Sequence, residues 1–195
     1  LADYRAWGNE VPGVYQIYPY TDNNSAAGVI LYVCADKEVT GSRVADSAML
    51  KAVGKSCTYD PETGMATRKP LTAVLDPDFD ESYTNIKTIT EEIFDVYITG
   101  YNGDIDSMKD TVKTNIENYL LEREPYIRGL SVDNNRMDDI SVNNLIGIVN
   151  EIAIANTASF TGVSLYHSSE SIAAYQLGRG KLAKLGTLYI NGVAI

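Results

Sequence analysis

Hydrophobic residues recur along this chain with two different periods, and this change of period constrains the fold more than any other feature of the sequence. Within residues 107–123 they are spaced three or four positions apart, at Met108, Val112, Ile116, Tyr119 and Leu120. This spacing places them on one face of an α-helix. Residues 93–99 alternate instead, so one face of a β-strand would carry Phe94, Val96 and Ile98, and the other Ile93, Tyr97 and Thr99. A chain that combines both elements in this way is expected to be α+β.

The remaining elements are predicted from the same two periods and from turn residues. Helices are expected near residues 45–57, 107–123 and 141–155, with a short one at 3–7. Strands are expected at residues 14–18, 28–34, 71–75, 93–99, 163–166 and 187–190. Pro19 is expected to end the first strand. The second strand is apolar on both faces, which predicts a central position and a hairpin with the first.

Polar residues indicate where the two later helices begin. Ser107 and Asp110 have the spacing of a capping box, in which both side chains accept bonds from backbone N–H groups. Pro125 is expected to end that helix. Ser141 is expected to cap the next one, whose apolar face would comprise Val142, Leu145, Ile146, Val149 and Ile152.

The order of elements predicts two small lobes with mixed or largely antiparallel sheets flanked by helices. Residues 1–80 would form the first, in the order α-β-β-α-β, and residues 81–195 the second, in the order β-α-α-β-β. The boundary is placed in the acidic, irregular stretch 76–83. The chain begins at Leu1 without a methionine, which we interpret as a cut inside a longer protein.

Charge and hydropathy exclude two classes of partner. The formal net charge is −10, and an acidic surface repels phosphate backbones, so nucleic-acid binding is not expected. No apolar run reaches the roughly 18 residues that span a bilayer, so membrane insertion is not expected. The acidity favours solubility, and the second interpretation is a docking face for a basic partner.

Reactive side chains are few. The single histidine, His167, follows a predicted strand, and packing there is favoured over catalysis because no nucleophile is placed beside it. Cys34 lies in an apolar strand and Cys57 follows a helix. Their spacing is not that of a metal site, and free structural thiols are favoured over a disulfide.

Acidic and glycine-rich segments do not reach the pattern of a ligand site. The run at 76–81 resembles the first half of a calcium loop, but Glu81 stands where the loop needs glycine and Lys87 where it needs glutamate. Carboxylates at 102–106 are explained by helix capping, and the glycines at 178–180 by a flexible turn. We therefore expect no catalytic residue, no metal and no cofactor.

Fourteen tyrosines are a high number for 195 residues. Half of them fall on or near predicted strands, namely Tyr15, Tyr18, Tyr20, Tyr32, Tyr97, Tyr166 and Tyr189. Strand packing is the first interpretation. Protein–protein contact is the second, because tyrosine provides contact area at a low entropy cost. A sugar-binding aromatic platform is the third.

Two segments, with the order of elements between them, resemble the baseplate J-like family of contractile phage tails. The first is Glu10-Val11-Pro12-Gly13-Val14, which leads into a strand that ends at Tyr18-Pro19. The second is Leu185-Gly186-Thr187 near the end of the chain. Between them follow an apolar strand, a helix, a strand entered at Pro70, another strand and the long helix. The chain departs from the family in longer insertions at 58–69 and 76–92.

This resemblance implies a structural protein and not an enzyme. Members of the family are wedge components that assemble around the tail hub, so the expected partners are other baseplate and tail proteins in a symmetric, multi-copy assembly. The implied location is the virion baseplate, assembled in the bacterial cytoplasm. A receptor- or carbohydrate-binding module of a phage or cell-surface protein is the alternative, given the tyrosines and polar loops. An enzyme with carboxylate chemistry is a third class.

Overall fold

The computed structural model describes residues 1–22, 28–68, 85–131 and 136–195, and it contains both helices and strands, as the two hydrophobic periods predict. The helices are α1 (Ala2–Asn9), α2 (Lys37–Thr40), α3 (Ser47–Ser56), α4 (Ile105–Leu121) and α5 (Val142–Ala155). The strands are β1 (Val14–Asp22), β2 (Gly28–Ala35), β3 (Ile86–Thr88), β4 (Thr90–Thr99), β5 (Asp139–Ser141), β6 (Gly162–His167), β7 (Glu170–Ile172), β8 (Ala174–Gln176), β9 (Lys181–Ile190) and β10 (Val193–Ala194). The described strands form three sheets, and the predicted α+β class is confirmed.

The described residues divide into two compact units. One consists of Leu1–Thr90 with Ile127–Asn135, and the other of Glu91–Tyr126 with Arg136–Ile195. The boundary that we placed within 76–83, and the strand expected at 71–75, lie outside the described residues.

The first unit contains the three-stranded sheet, in the order β1-β2-β3. Strands β1 and β2 are antiparallel, β2 and β3 are parallel, and β2 is central, as its two apolar faces predicted. Helices α1 and α3 pack against one face of the sheet. The buried residues of this core include Ile17, Leu31, Val33, Val53 and Ile86.

The predicted end of the first strand is wrong, because β1 continues through Pro19 to Asp22. Pro19 lies opposite Leu31 of β2. Strand β1 is at the edge of its sheet, with β2 as its one neighbour in the described part of the chain. A proline is tolerated on an edge strand, where the missing N–H can face away from the ladder.

The second unit contains the five-stranded sheet, in the order β10-β9-β4-β6-β7. Its inner face packs against α4 and α5, and the predicted faces of β4 and α4 are confirmed. The fully buried residues of this core include Phe94, Val96, Ile98, Met108, Val112, Ile116, Leu120, Leu145, Val149, Leu165 and Leu188. None of the helices in the described ranges has both the length and the apolar composition that a bilayer crossing requires.

The start of α4 differs from the prediction. The capping residue is Asp104, whose carboxylate accepts a hydrogen bond from the Asp106 N–H at 3.0 Å. The Ser107 hydroxyl lies inside the first turn and donates to the Asp104 carbonyl oxygen. The capping box of Ser107 and Asp110 is therefore wrong, because a carboxylate three residues earlier already satisfies the first turn.

The start of α5 agrees with the prediction, but one residue of its face does not. Ser141 Oγ accepts a bond from the Asn144 N–H at 3.3 Å, which confirms the cap. Ile146 is 37% exposed and does not belong to the buried face, whereas Ala153 is buried. The inner positions follow the spacing 145, 149 and 153, so Ile146 lies at the margin of the face.

The core prediction can be tested at Ile116, which is fully buried in the middle of α4. Replacement by aspartate places a carboxylate without a partner among apolar side chains, so Ile116→Asp should destabilise the protein by about 4 kcal/mol or more. Urea denaturation would measure the loss. Thr114→Asp, at an exposed position on the same helix, should change stability by less than about 1 kcal/mol. Equal effects at the two positions would contradict the assigned core.

Candidate functional site

The Glu10–Val14 segment, which carries the first part of the family resemblance, forms the turn between α1 and β1. Gly13 has φ +82°, a conformation that glycine adopts at little cost, and its carbonyl oxygen accepts the Asp36 N–H at 2.8 Å. Glu10 forms a bidentate ion pair with Arg68, with the shorter contact at 2.5 Å. The side chains of this segment therefore have structural roles within the first unit.

The Leu185-Gly186-Thr187 segment also has a structural explanation. The Thr187 N–H donates to Asp95 Oδ1 at 2.7 Å, so the Asp95 side chain crosses from β4 onto β9. A Cβ atom on Gly186 would lie against Asp95 Oδ1 and 2.7 Å from Ile93 Cγ2. Glycine is thus required here by the close approach of two β4 side chains.

The histidine lies in an ionic cluster that the sequence did not reveal. His167 Nε2 lies 2.6 Å from Glu92 Oε2, and Lys181 Nζ pairs with Glu92 Oε1. The imidazole also contacts the rings of Phe94 and Tyr175, with centroids 5.0 and 4.6 Å away. These contacts connect the ends of three strands, β4, β6 and β9, to β8.

The chemistry of this cluster is that of a structural ion pair. Burial alone would raise the pKa of Glu92, but the hydrogen bonds from Lys181 and His167 outweigh it and hold the pKa below its ordinary value of 4.5. Both carboxylate oxygens already have partners. A carboxylate that is held ionised and bonded on both oxygens is a poor general base, since a base needs a free lone pair and a pKa near the working pH.

The two cysteines are free and buried, as expected for structural thiols. Burial raises the pKa of the Cys57 thiol to about 12, although the charge of Arg68 opposes this shift. The Cys34 thiol donates to the carbonyl oxygen of its neighbour Ala35. Because the thiolate is the reactive form, Cys57 is poorly suited to nucleophilic chemistry or metal binding.

No cluster of three or more histidine, cysteine, aspartate or glutamate side chains that could hold a metal occurs within the described ranges. The acidic run at 76–81 lies outside them. In the segment 102–106, Asp104 caps α4 and Asp106 pairs with Lys109 at 2.6 Å, which agrees with the expected capping. Gly180 has φ +66° in the turn before β9.

Five of the seven strand tyrosines fall into two groups, whereas Tyr15 is exposed and Tyr32 is half-buried. Tyr18 and Tyr20 are buried in the first unit, which confirms the packing interpretation for them. Tyr97, Tyr166 and Tyr189 are half-buried on three adjacent strands of the second unit. The rings of Tyr97 and Tyr189 are stacked, with centroids 4.3 Å apart and an interplanar angle of 12°. Tyr97 is the middle member of this row, and its ring centroid lies 4.8 Å from that of its other neighbour, Tyr166.

These tyrosines stand on the outer face of the five-stranded sheet, opposite the face that packs on α4 and α5. We call this surface the tyrosine face and define it by Ile93, Asp95, Tyr97, Thr99, Ser164, Tyr166 and Tyr189. Its aliphatic member, Ile93, is 55% exposed. Asp95 is its charged member, and the Glu91–Lys184 ion pair lies at the margin of the same sheet face. A half-exposed surface rich in tyrosine is typical of the contact regions of protein interfaces, because tyrosine provides contact area at a low entropy cost.

Sequence reasoning placed Tyr97 on the face of its strand opposite Phe94, but it could not align Tyr97 with Tyr166 and Tyr189. That alignment depends on strand order and register, here with Asp95 opposite Tyr166. Glu92, Asp95 and Lys181 were missed for the same reason, because their partners are distant in sequence. The one sequence signal for this surface was Ile93, an aliphatic residue on the face of the strand opposite Phe94.

No family model matches this chain, and no curated protein matches it. The family resemblance therefore remains an interpretation of the two short segments, and the functional argument depends on the tyrosine face.

The close approach at Gly186 can be tested by substitution. Gly186→Ala should destabilise the protein by about 2 kcal/mol, because the new methyl group displaces the Asp95 side chain from the Thr187 N–H. Thermal or urea denaturation would measure it. Gly147→Ala is the matched control, since its added methyl group meets open space on α5 and should stabilise the helix by about 0.5–1 kcal/mol. Unchanged stability of Gly186→Ala would refute the crossing of Asp95 over β9.

The Glu92 cluster predicts a pH-dependent contribution to stability. A carboxyl group whose folded pKa is lowered stabilises the folded state above its unfolded pKa, and the contribution is lost as pH falls through the folded value. Glu92→Gln should therefore cost about 2 kcal/mol at pH 7 and progressively less below about pH 4.5. Glu91→Gln, which affects the more exposed pair with Lys184, should cost less than about 1 kcal/mol. A Glu92→Gln deficit that stays constant down to pH 3 would contradict the lowered pKa.

Proposed function

We propose that this chain is a structural component of the baseplate of a contractile phage tail or a phage-like injection particle, where it mediates protein–protein contacts in the baseplate ring. The tyrosine face is the observation that supports a contact function. It lies on a sheet whose other face is fully occupied by α4 and α5, so the surface can engage a partner without disturbing the core.

The assignment to a contractile tail baseplate is supported by the resemblance of two segments to the baseplate J-like family. Both segments serve the scaffold, the first as the turn into β1 and the second as the crossing point of Asp95. They support a related backbone and contribute no reactive group. The proposed location is accordingly the virion baseplate, and the proposed partners are other baseplate and tail proteins.

A contact surface of modest affinity is sufficient for ring assembly. In a symmetric multi-copy ring each contact is repeated, and contacts made within one assembly reinforce one another through effective concentration. A half-buried row of tyrosines can therefore contribute to a stable ring without making the isolated chain strongly associating.

The geometry of the rings weighs against the carbohydrate alternative. A sugar platform needs an open aromatic face, but the Tyr97 ring has Tyr189 stacked on one side and Tyr166 against the other. The Tyr97 and Tyr189 hydroxyl groups also hydrogen-bond each other, so a partner meets the ring edges and the hydrogen-bonding capacity that the hydroxyl groups retain. Such a surface provides hydrogen bonds and edge contacts, which suit a protein partner better than a sugar ring.

Particle assembly provides the test. Tyr97→Glu should leave the chain folded, with a loss of about 1 kcal/mol from the ring stack, but it should reduce incorporation of the chain into baseplates seen by electron microscopy. Tyr15→Glu is the matched control, because Tyr15 is a strand tyrosine that is 63% exposed in the first unit. It should leave assembly unchanged.

Deletion of the coding region for this chain should abolish normal baseplates. Normal baseplates and full contraction after the deletion would reject the proposed function. Intact particles that fail only to adsorb to cells would instead support the receptor-binding alternative.

A further inference from the structure

Asp95 is a carboxylate on the tyrosine face that has no cationic partner among the residues that the structure describes. Its Oδ1 accepts the Thr187 N–H, and no lysine, arginine or histidine among the described residues forms an ion pair with it. The neighbouring acids of the same strand are both paired, Glu91 with Lys184 at 2.6 Å and Glu92 with His167 and Lys181. The charge of Asp95 is thus left available to a partner.

The local structure does not require that charge. The bond from Thr187 needs one oxygen acceptor, which the amide oxygen of an asparagine could supply equally in this geometry. A half-buried charge without a partner carries a desolvation cost that asparagine would lower. The fold therefore does not require the negative charge of Asp95 or its second carboxylate oxygen, which lies among tyrosines.

We propose that the tyrosine face binds an arginine side chain of a partner protein, with its guanidinium group paired to Asp95. Tyr166 lies directly opposite Asp95 in the ladder, and Tyr97 lies two residues further along the same strand face. The proposal rests on the proposed function in one respect, namely that the occupant of the face is a protein. It adds the chemistry of the partner and the residue that selects it.

Arginine fits this arrangement better than other cations. Its planar guanidinium has five N–H donors, so it can pair with a carboxylate and also bond tyrosine hydroxyl groups, whereas lysine is a compact point charge. Tyrosine and arginine are enriched among the residues that dominate interface energies. The net charge of −10 also favours the approach of a cationic partner.

The same charge disfavours a second copy of this chain as the occupant. If two tyrosine faces met about a twofold axis, each would present an Asp95 carboxylate to a surface on which Lys184 is already paired with Glu91. Like charges in an interface cost affinity. A partner that carries arginine removes this cost.

The experiment uses the full chain and a synthetic peptide, Gly-Arg-Gly-Arg-Gly, with lysine and citrulline versions as controls. Binding is followed by changes in backbone amide NMR shifts at low ionic strength. The arginine peptide should shift the amides of Asp95, Tyr97, Tyr166 and Tyr189. It should bind about threefold more tightly than the lysine peptide, and the neutral citrulline peptide should bind most weakly.

Charge-matched variants locate the binding. Asp95→Asn retains the acceptor for Thr187 and should weaken the arginine peptide about threefold to fivefold. Glu151→Gln removes the same charge from an exposed position on α5 and should change affinity less than about 1.5-fold. Tyr166→Phe, which keeps the ring and removes the hydroxyl group, should also weaken binding, and it serves as the second variant if Asp95→Asn loosens β9.

Three results would overturn the proposal. They are shifts scattered over other acidic positions, equal binding of the arginine and lysine peptides, and an unchanged affinity of Asp95→Asn with normal folding. Each concerns the isolated chain, so it is independent of particle assembly. Arginine binding to a chain whose deletion leaves baseplates normal would reject the proposed function alone, and failure of the peptide with abnormal baseplates would reject the arginine site alone.

Discussion

Strand β4 has one face packed in the core and the other on the outer surface of the sheet. The structure of the second unit depends on which residues of β4 occupy each face. Its inner residues Phe94, Val96 and Ile98 are buried against α4 and α5, and this burial fixes the position of the strand at the centre of its sheet. Once those residues face inward, the two-residue period of the strand forces Ile93, Asp95 and Tyr97 outward. A shift of one residue would exchange the two sets, so the core that stabilises the unit also determines which side chains form the tyrosine face.

The parts of the fold that the sequence predicts are those in which many residues repeat one signal. Helix α4 and strand β4 are long and strongly periodic, and their buried faces agree with expectation. Strand β2 is a continuous apolar run, and its central position agrees with expectation. The short elements α2, β7, β8 and β10 have too few residues to show a period. The predictions of a strand end at Pro19 and of a cap at Ser107 were wrong for a different reason. The edge position of β1 and the cap from Asp104 depend on neighbouring residues, which the pattern of hydrophobic residues does not reveal.

The tyrosine face shows why a candidate site is harder to predict than a core. Hydrophobic burial depends on the period within one strand, but the row of Tyr189, Tyr97 and Tyr166 depends on the order of three strands and their register. The short segments of the family resemblance depend instead on local structure. Gly13 and Gly186 are set by local backbone requirements, a positive φ at one and a close approach at the other, so such segments are informative about scaffold and silent about partners.

The proposed role in assembly calls for a contact surface of moderate affinity rather than one that binds a single partner tightly. The tyrosine face already gains ring stacking within the chain, so its conformation is largely ordered before a partner arrives and little side-chain entropy remains to be lost. Ile93 is its one aliphatic member, and a surface with few aliphatic side chains limits both affinity for a single partner and self-association. In the proposed contact, Asp95, which has no ion-pair partner among the described residues, would act mainly on selectivity, because a buried carboxylate penalises partners without a cation more than it strengthens the correct contact. A surface with this balance can remain unoccupied in the free protein and become stable only where an assembly holds its partner nearby.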